Sequence, residues 1–324
     1  MSDSTLPSPT EEEQKIKQVF ELKDDLTEMQ NIYKSVELMK NLKHPNILKL
    51  LKGNLNREML NLEFEYVDYN LEQVISLCSN TLDDESIQYI FYQTVLGVAY
   101  MHHMNVQHLD LKPSNIFVKK NLSVKIAGFG NARPTFLKEK ADPVLVMQDF
   151  FIAPESILNN SKNPEFPFKA DIWALGCIFF ELLNKKCRLS RKRHYLELLN
   201  LIMRLIGKPT KQQTTFIKND SARSWIKAQR NFPTTLPSSY LGNKKVPLEG
   251  KELLNMLLKF DPRERPSIKQ ILTHPYFSTI YDPMDLNFKG NSLNVSNFEG
   301  CSERIFHSNQ VYRLIGKSIK SFEL

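Results

Sequence analysis

Between His108 and Glu155 the chain carries three short strings whose order and spacing constrain its fold more than any other stretch. The first is His108-Leu109-Asp110-Leu111-Lys112-Pro113-Ser114-Asn115, a polar loop holding a carboxylate, an ammonium and an amide. A short apolar run follows, then Gly128-Phe129-Gly130, and Ala153-Pro154-Glu155 closes the stretch. Taken alone, the first string is a polar turn before a strand. Its meaning depends on what surrounds it.

The 324 residues give room for one large two-lobed domain or two ordinary ones, with ample material for a core. No stretch of about 18 consecutive apolar residues is present, so no membrane partner is expected. Residues 1–14 are Ser/Pro/Glu-rich without the apolar core of a signal peptide, and are expected to be a disordered tail. The four cysteines, Cys78, Cys177, Cys187 and Cys301, form no pair motif, which points to reduced thiols and to the cytoplasm or nucleus. Part of the net charge of +7 sits in the run Lys185 to Arg193, read as a solvated loop, with nuclear import or acidic-peptide docking as alternatives. It lacks the interleaved aromatics of a nucleic-acid platform, so no nucleic-acid partner is expected.

Hydrophobic spacing sets the elements. Ile16, Val19 and Phe20 suit a short strand, and Met29, Tyr33, Val36, Leu38, Met39 and Leu42 mark a helix over Leu26 to Lys43. Pro45 ends it, because the residue before a proline is disfavoured in the helical region. Strands follow at Ile47 to Leu51 and Met59 to Tyr66, then a helix over Asp84 to Asn105 with two acids in its first turn. From Lys169 onward the pattern is helical: Asp171 to Asn184 is apolar nearly all round, and Leu196 to Ile206, Leu253 to Phe260 and Val311 to Leu324 are amphipathic.

Strands early, helices late and this order of strings resemble a eukaryotic protein kinase, whose own strings are H-R-D-x-K-P-x-N, D-F-G and A-P-E. Within that family the chain is similar to the MAP kinases. His194-Tyr195-Leu196 through Ile202 and Gly207-Lys208-Pro209-Thr210 resemble their H-Y-L-x-x-L-x-x-I and G-x-P-(T/S). Ser221-Ala222-Arg223-Ser224-Trp225-Ile226, His274-Pro275-Tyr276-Phe277 and Tyr281-Asp282-Pro283 resemble further strings of that branch. The resemblance implies an α+β bilobal kinase fold, with a reduced N-terminal β-sheet lobe at 15–67 and a large helical C-terminal lobe at 68–283. Residues 284–324 form a C-terminal extension.

It also implies roles. Asp110 matches the catalytic base, Lys112 the lysine that neutralises the transferring phosphoryl group, and Asn115 the amide ligand of a metal ion. ATP and Mg2+ are the implied cofactors. Lys17, in Lys15-Ile16-Lys17-Gln18-Val19, resembles the lysine of V-A-I-K, with a charged tail residue as the alternative. Phe64 falls at the rear gate of the nucleotide pocket and Phe117 beneath the adenine, where the two aromatics are expected to fill part of it, with a plain strand-core role as the alternative for Phe117.

Several expected groups are replaced. Gly128 stands where the family's magnesium-binding Asp belongs; losing a stabiliser of that kind costs on the order of 3 kcal/mol. Ser35 stands where the helix Glu pairs with the strand lysine, and Glu37, two residues on, reads as a solvated acid. No G-x-G-x-x-G occurs, Leu109 replaces the H-R-D arginine, Pro143-Val144-Leu145 replaces the T-x-Y phosphosite, and Gln148 replaces the Thr that bridges the catalytic pair. The scaffold residues Glu155, Arg265, Asp171, Trp173, His108, Phe129 and Met39 are retained. The resulting expectation is a MAP-kinase-like pseudokinase, a monomer that binds protein partners through a large-lobe groove near Asp282 and Asp285, with a weakly active Ser/Thr kinase as the alternative.

Overall fold

A three-stranded sheet and one helix make the small lobe. In the computed structural model, which describes residues 15–22, 25–137, 150–158, 166–186, 194–242, 245–288, 293–301 and 308–320, the chain enters as β1 (Lys15–Glu21) and runs into α1 (Leu26–Asn41). Asp25 caps α1 by accepting the Glu28 amide at 3.0 Å. The helix stops at Asn41, four positions before Pro45. It is followed by β2 (Leu50–Asn56) and β3 (Met59–Glu65). The sheet order is β1-β3-β2, all antiparallel, with Ile16 opposite Phe64 and Phe20 opposite Leu60. β1 is therefore an edge strand.

The large lobe follows in chain order: β4 (Tyr69–Asn70), α2 (Leu71–Leu77), α3 (Asp84–His103), β5 (Val106–Gln107), β6 (Ile116–Val118), β7 (Val124–Ile126), β8 (Arg133–Pro134), α4 (Pro154–Leu158), α5 (Lys169–Asn184), α6 (Tyr195–Ile206), α7 (Asp220–Ala228), α8 (Leu248–Leu257) and α9 (Ile268–Leu272). Asp83 caps α3, accepting the Ser86 amide at 2.8 Å. Almost every residue of α5 is buried, as its all-round apolar pattern requires, and Phe179 stacks on Phe91 of α3 with ring centroids 4.2 Å apart. The expected α+β architecture, a small strand-rich lobe on a large helical one, is what the chain adopts.

The last described element lies on the small lobe. α10 (Ser308–Lys320) packs on α1 and β2, seating Ile319 over Gly53, where any Cβ would collide with it. Tyr312 donates to the Arg57 carbonyl, and Lys40 of α1 donates to the Ser318 hydroxyl at 3.2 Å.

This packing explains two departures from the sequence expectations. Glu37 is buried and paired with Lys40 at 3.2 Å, not solvated, because α10 packs along α1. The strand expected at Ile47 to Leu51 begins instead at Leu50 and runs to Asn56. Ile47 makes an isolated parallel bridge to Ile126 of the large lobe. The tail at 1–14, the substituted phosphosite at 143–145, Gln148 and the centre of the basic run at 187–193 lie outside the described residues.

Candidate active site

The loop from His108 to Asn115 is held from behind by a buried carboxylate. Asp171, near the start of α5, accepts the amides of His108 and Leu109, each at 2.9 Å, and contacts the His102 ring nitrogen at 2.9 Å. Leu109 sits at φ 61°, a left-handed conformation uncommon for a branched residue, and the hydrogen bond its N–H donates to Asp171 holds it there. Burial alone would raise the Asp171 carboxyl, but the bond and charge of His102, with His108 beside it, hold it below its ordinary value. His108 is fully buried, and burial pushes its pKa below the ordinary value against the pull of Asp171. Its ring bonds the Ala127 carbonyl at 2.8 Å and packs on Phe129 at 5.5 Å.

Asp110, Lys112 and Asn115 are brought together. Lys112 Nζ lies 3.0 Å from Asp110 Oδ1, and Asn115 Nδ2 donates to Asp110 Oδ2 at 3.0 Å and to the Asp110 carbonyl at 2.7 Å. Both carboxylate oxygens are thus already engaged inside the loop. Gly128 adopts φ 82°, and a Cβ built there would lie 2.5 Å from Asn115 Cγ. The Asn115 side chain occupies the room into which a side chain at 128 would project.

Above this loop lies a cavity of about 610 Å3 between the lobes. Phe64 and Phe117 both line it, and it remains open beside them. Lys17 does not reach it. Ile16, Gln18 and Phe20 of β1 face the cavity, while Lys17 is exposed on the alternate face. The strand position two residues after Ile16, aimed into the cavity, is therefore Gln18. Sequence offered no signal for this choice, because a slip of one residue exchanges the faces of a strand.

Ser35, on the cavity face of α1, bonds the Phe129 carbonyl at 3.1 Å and the Asn31 carbonyl at 2.7 Å. Two acids that sequence reasoning did not single out, Asp25 and Glu28, also line the cavity. Asp25 caps α1, and its position at the cleft depends on how α1 meets β1, which the sequence does not show. Glu65, at the end of β3, joins the lobes: it accepts from Lys125 at 2.8 Å, Lys119 at 3.2 Å and the Lys49 amide at 2.9 Å. Burial opposes its charged form, yet these partners hold its pKa below the usual value.

Further out, Glu155 and Arg265 form a buried two-pronged pair at 2.6 and 2.7 Å, and the guanidinium lies 5.3 Å from the Trp173 ring. Asp282 and Asp285 are both engaged: Asp282 caps the Met284 amide at 2.8 Å, and Asp285 accepts the hydroxyl of Tyr92 on α3 at 2.8 Å. Among the described residues no cluster of three or more His, Cys, Asp or Glu is placed to hold a metal ion, and no helix is long and apolar enough to cross a membrane.

A sheet lobe on a helical lobe, with an Asp-Lys-Asn loop facing the cleft and Asp171 behind it, defines a protein-kinase domain. The family model for the protein kinase domain matches residues 6–277. Mitogen-activated protein kinase 3 of Arabidopsis thaliana is 32% identical over 287 residues, covering 87% of this chain and 75% of its own. Mitogen-activated protein kinase 4a of Physcomitrium patens is 33% identical over 288 residues, covering 87% and 74%. Extracellular signal-regulated kinase 1 of Dictyostelium discoideum is 31% identical over 305 residues, covering 88% and 55%. The chain belongs to the protein kinase family, on its MAP kinase branch.

ATP and Mg2+ serve that family, and the residues here fit the pair poorly. Residue 128 has no carboxylate and the strand side chain facing the cavity is Gln18, while Asn115, bonded to Asp110 through Nδ2, keeps its Oδ1 as a single possible metal ligand.

Proposed function

We propose that this chain is a MAP-kinase-like pseudokinase, a protein-binding module of the cytoplasm or nucleus that offers its large lobe to partner kinases or their substrates. The observation that carries the proposal is the contact between positions 115 and 128. A Cβ at 128 would meet the end of the Asn115 side chain, so a carboxylate there would require Asn115 to turn aside. Gln18 and Ser35 support the same reading, since neither supplies half of a lysine–glutamate pair.

A second reading, a weakly active Ser/Thr kinase, is favoured by one feature. Asp110 and Lys112 keep a close mutual geometry at 3.0 Å. Thermal unfolding with ATP, with and without Mg2+, separates the two. A ligand at about 100 times its Kd stabilises the folded state by about 2.7 kcal/mol, a shift of a few degrees. The pseudokinase reading expects no Mg2+-dependent rise in Tm. A rise of several degrees that requires Mg2+ supports the kinase reading.

A further inference from the structure

We infer that the cavity between the lobes takes a flat aromatic molecule that is uncharged or cationic, in place of a nucleotide polyphosphate. The inference rests on the proposed loss of phosphoryl transfer and adds what the vacated chemistry selects for.

Size comes first. About 610 Å3 falls within the roughly 300–1,000 Å3 of ordinary small-molecule sites. The walls are mainly apolar: Ile16 and Phe64 face it from paired strands, Val36 and Met39 from α1, and Phe117 from β6. Phe64 and Phe117 present ring surface, which suits a planar ligand and attracts a cation.

Charge then decides the class. Among the described residues that line the cavity, the ionisable ones are Asp25 and Glu28, both acids, and there is neither Lys nor Arg. Lys112, the lysine of the loop below, is not part of the lining and is paired with Asp110 at 3.0 Å. Lys17 points away on the other face of β1. A polyphosphate would therefore bring its negative charge toward two exposed carboxylates at the edge of the cavity, with neither Lys nor Arg among the described lining residues to offset them, a repulsion that water and salt weaken without removing. An uncharged ligand avoids that repulsion, and an amine gains from it.

A charge series on one ring system tests the inference. The binding of adenosine, its analogue with an amine in place of the ribose primary hydroxyl, AMP and ATP is measured by calorimetry on the full-length protein at low and high salt. The amine analogue is expected to bind tightest, adenosine next, and ATP about tenfold or more below adenosine, with the gap narrowing as salt is added. In the double variant Asp25→Asn, Glu28→Gln the gap is expected to shrink, while Asn at 25 keeps the helix cap. ATP binding at least as tightly as adenosine, or no binding by any of the four, overturns the inference. Tight ATP binding that needs no Mg2+ and leads to no phosphate transfer overturns it alone and leaves the pseudokinase proposal standing. Transfer of phosphate to protein removes that proposal.

Discussion

Ser35 of α1 donates its hydroxyl to the main-chain oxygen of Phe129 at 3.1 Å, so the helix is tied directly to the Gly-Phe-Gly turn beneath it. The same hydroxyl lies 2.7 Å from the Asn31 carbonyl, and its single proton is shared between the two. A contact of this kind holds α1 against the large lobe without any charge pair.

Ser35→Ala is expected to lower stability by about 1 kcal/mol, the usual net worth of one such bond, measured by urea unfolding. Ser35→Glu is expected to give no phosphate transfer, since Gln18, not a lysine, faces α1 across the cavity. Transfer by the Glu variant would show that an unrecognised cation reaches the site.

Gly128→Asp is expected to destabilise by about 2 kcal/mol or more, because the residue has φ 82° and its Cβ would meet Asn115. Adding Asn115→Ala should recover part of that loss, a non-additive pair readable from chemical unfolding midpoints. Strict additivity would mean that the two side chains do not compete for one space.

The buried Glu155–Arg265 pair anchors α4 against the loop before α9. Arg265→Met leaves a buried carboxylate alone and is expected to cost roughly 3–5 kcal/mol. The double variant Glu155→Leu, Arg265→Met should be more stable than Arg265→Met itself, as judged by Tm. The reverse order would locate the stabilising role in the bonds of Arg265 to the Lys259 and Lys169 carbonyls.

His44 is stacked on Tyr100 at 4.9 Å, and burial, helped by the charge of Lys125, lowers its pKa to about 4. The unfolded chain takes up a proton at this residue below the ordinary 6.5, whereas the folded chain does so only near 4. Stability therefore falls as pH drops from 6.5 to about 4, with His44 contributing on the order of 2 kcal/mol after allowance for its partial exposure. His44→Gln should flatten the dependence of Tm on pH across that interval. An unchanged profile would assign the acid sensitivity to other groups, His108 first.

Much of the fold was legible because its strongest signals are local. The apolar spacing of α3, the nearly all-apolar run of α5 and Pro45 after α1 mark those elements within a residue or two. β2 was misplaced because its pattern, Leu-Leu-Lys-Gly-Asn-Leu-Asn, makes sense only with α10 over it; Ile319 covers Gly53 from 266 positions away in the chain. Glu37 was read as solvated for the same reason. In the site, the spacing of Asp110, Lys112 and Asn115 gave the loop. Which face of β1 meets the cleft is a matter of register, and that exchanged Lys17 for Gln18.

The central claim is that Asp110 and Lys112 persist in a site that no longer transfers phosphate. Incorporation of labelled phosphate from ATP into a generic protein substrate, by purified protein beside its Asp110→Asn variant, addresses it most directly. The account predicts background counts from both. Incorporation by the unsubstituted protein that Asp110→Asn abolishes would contradict it.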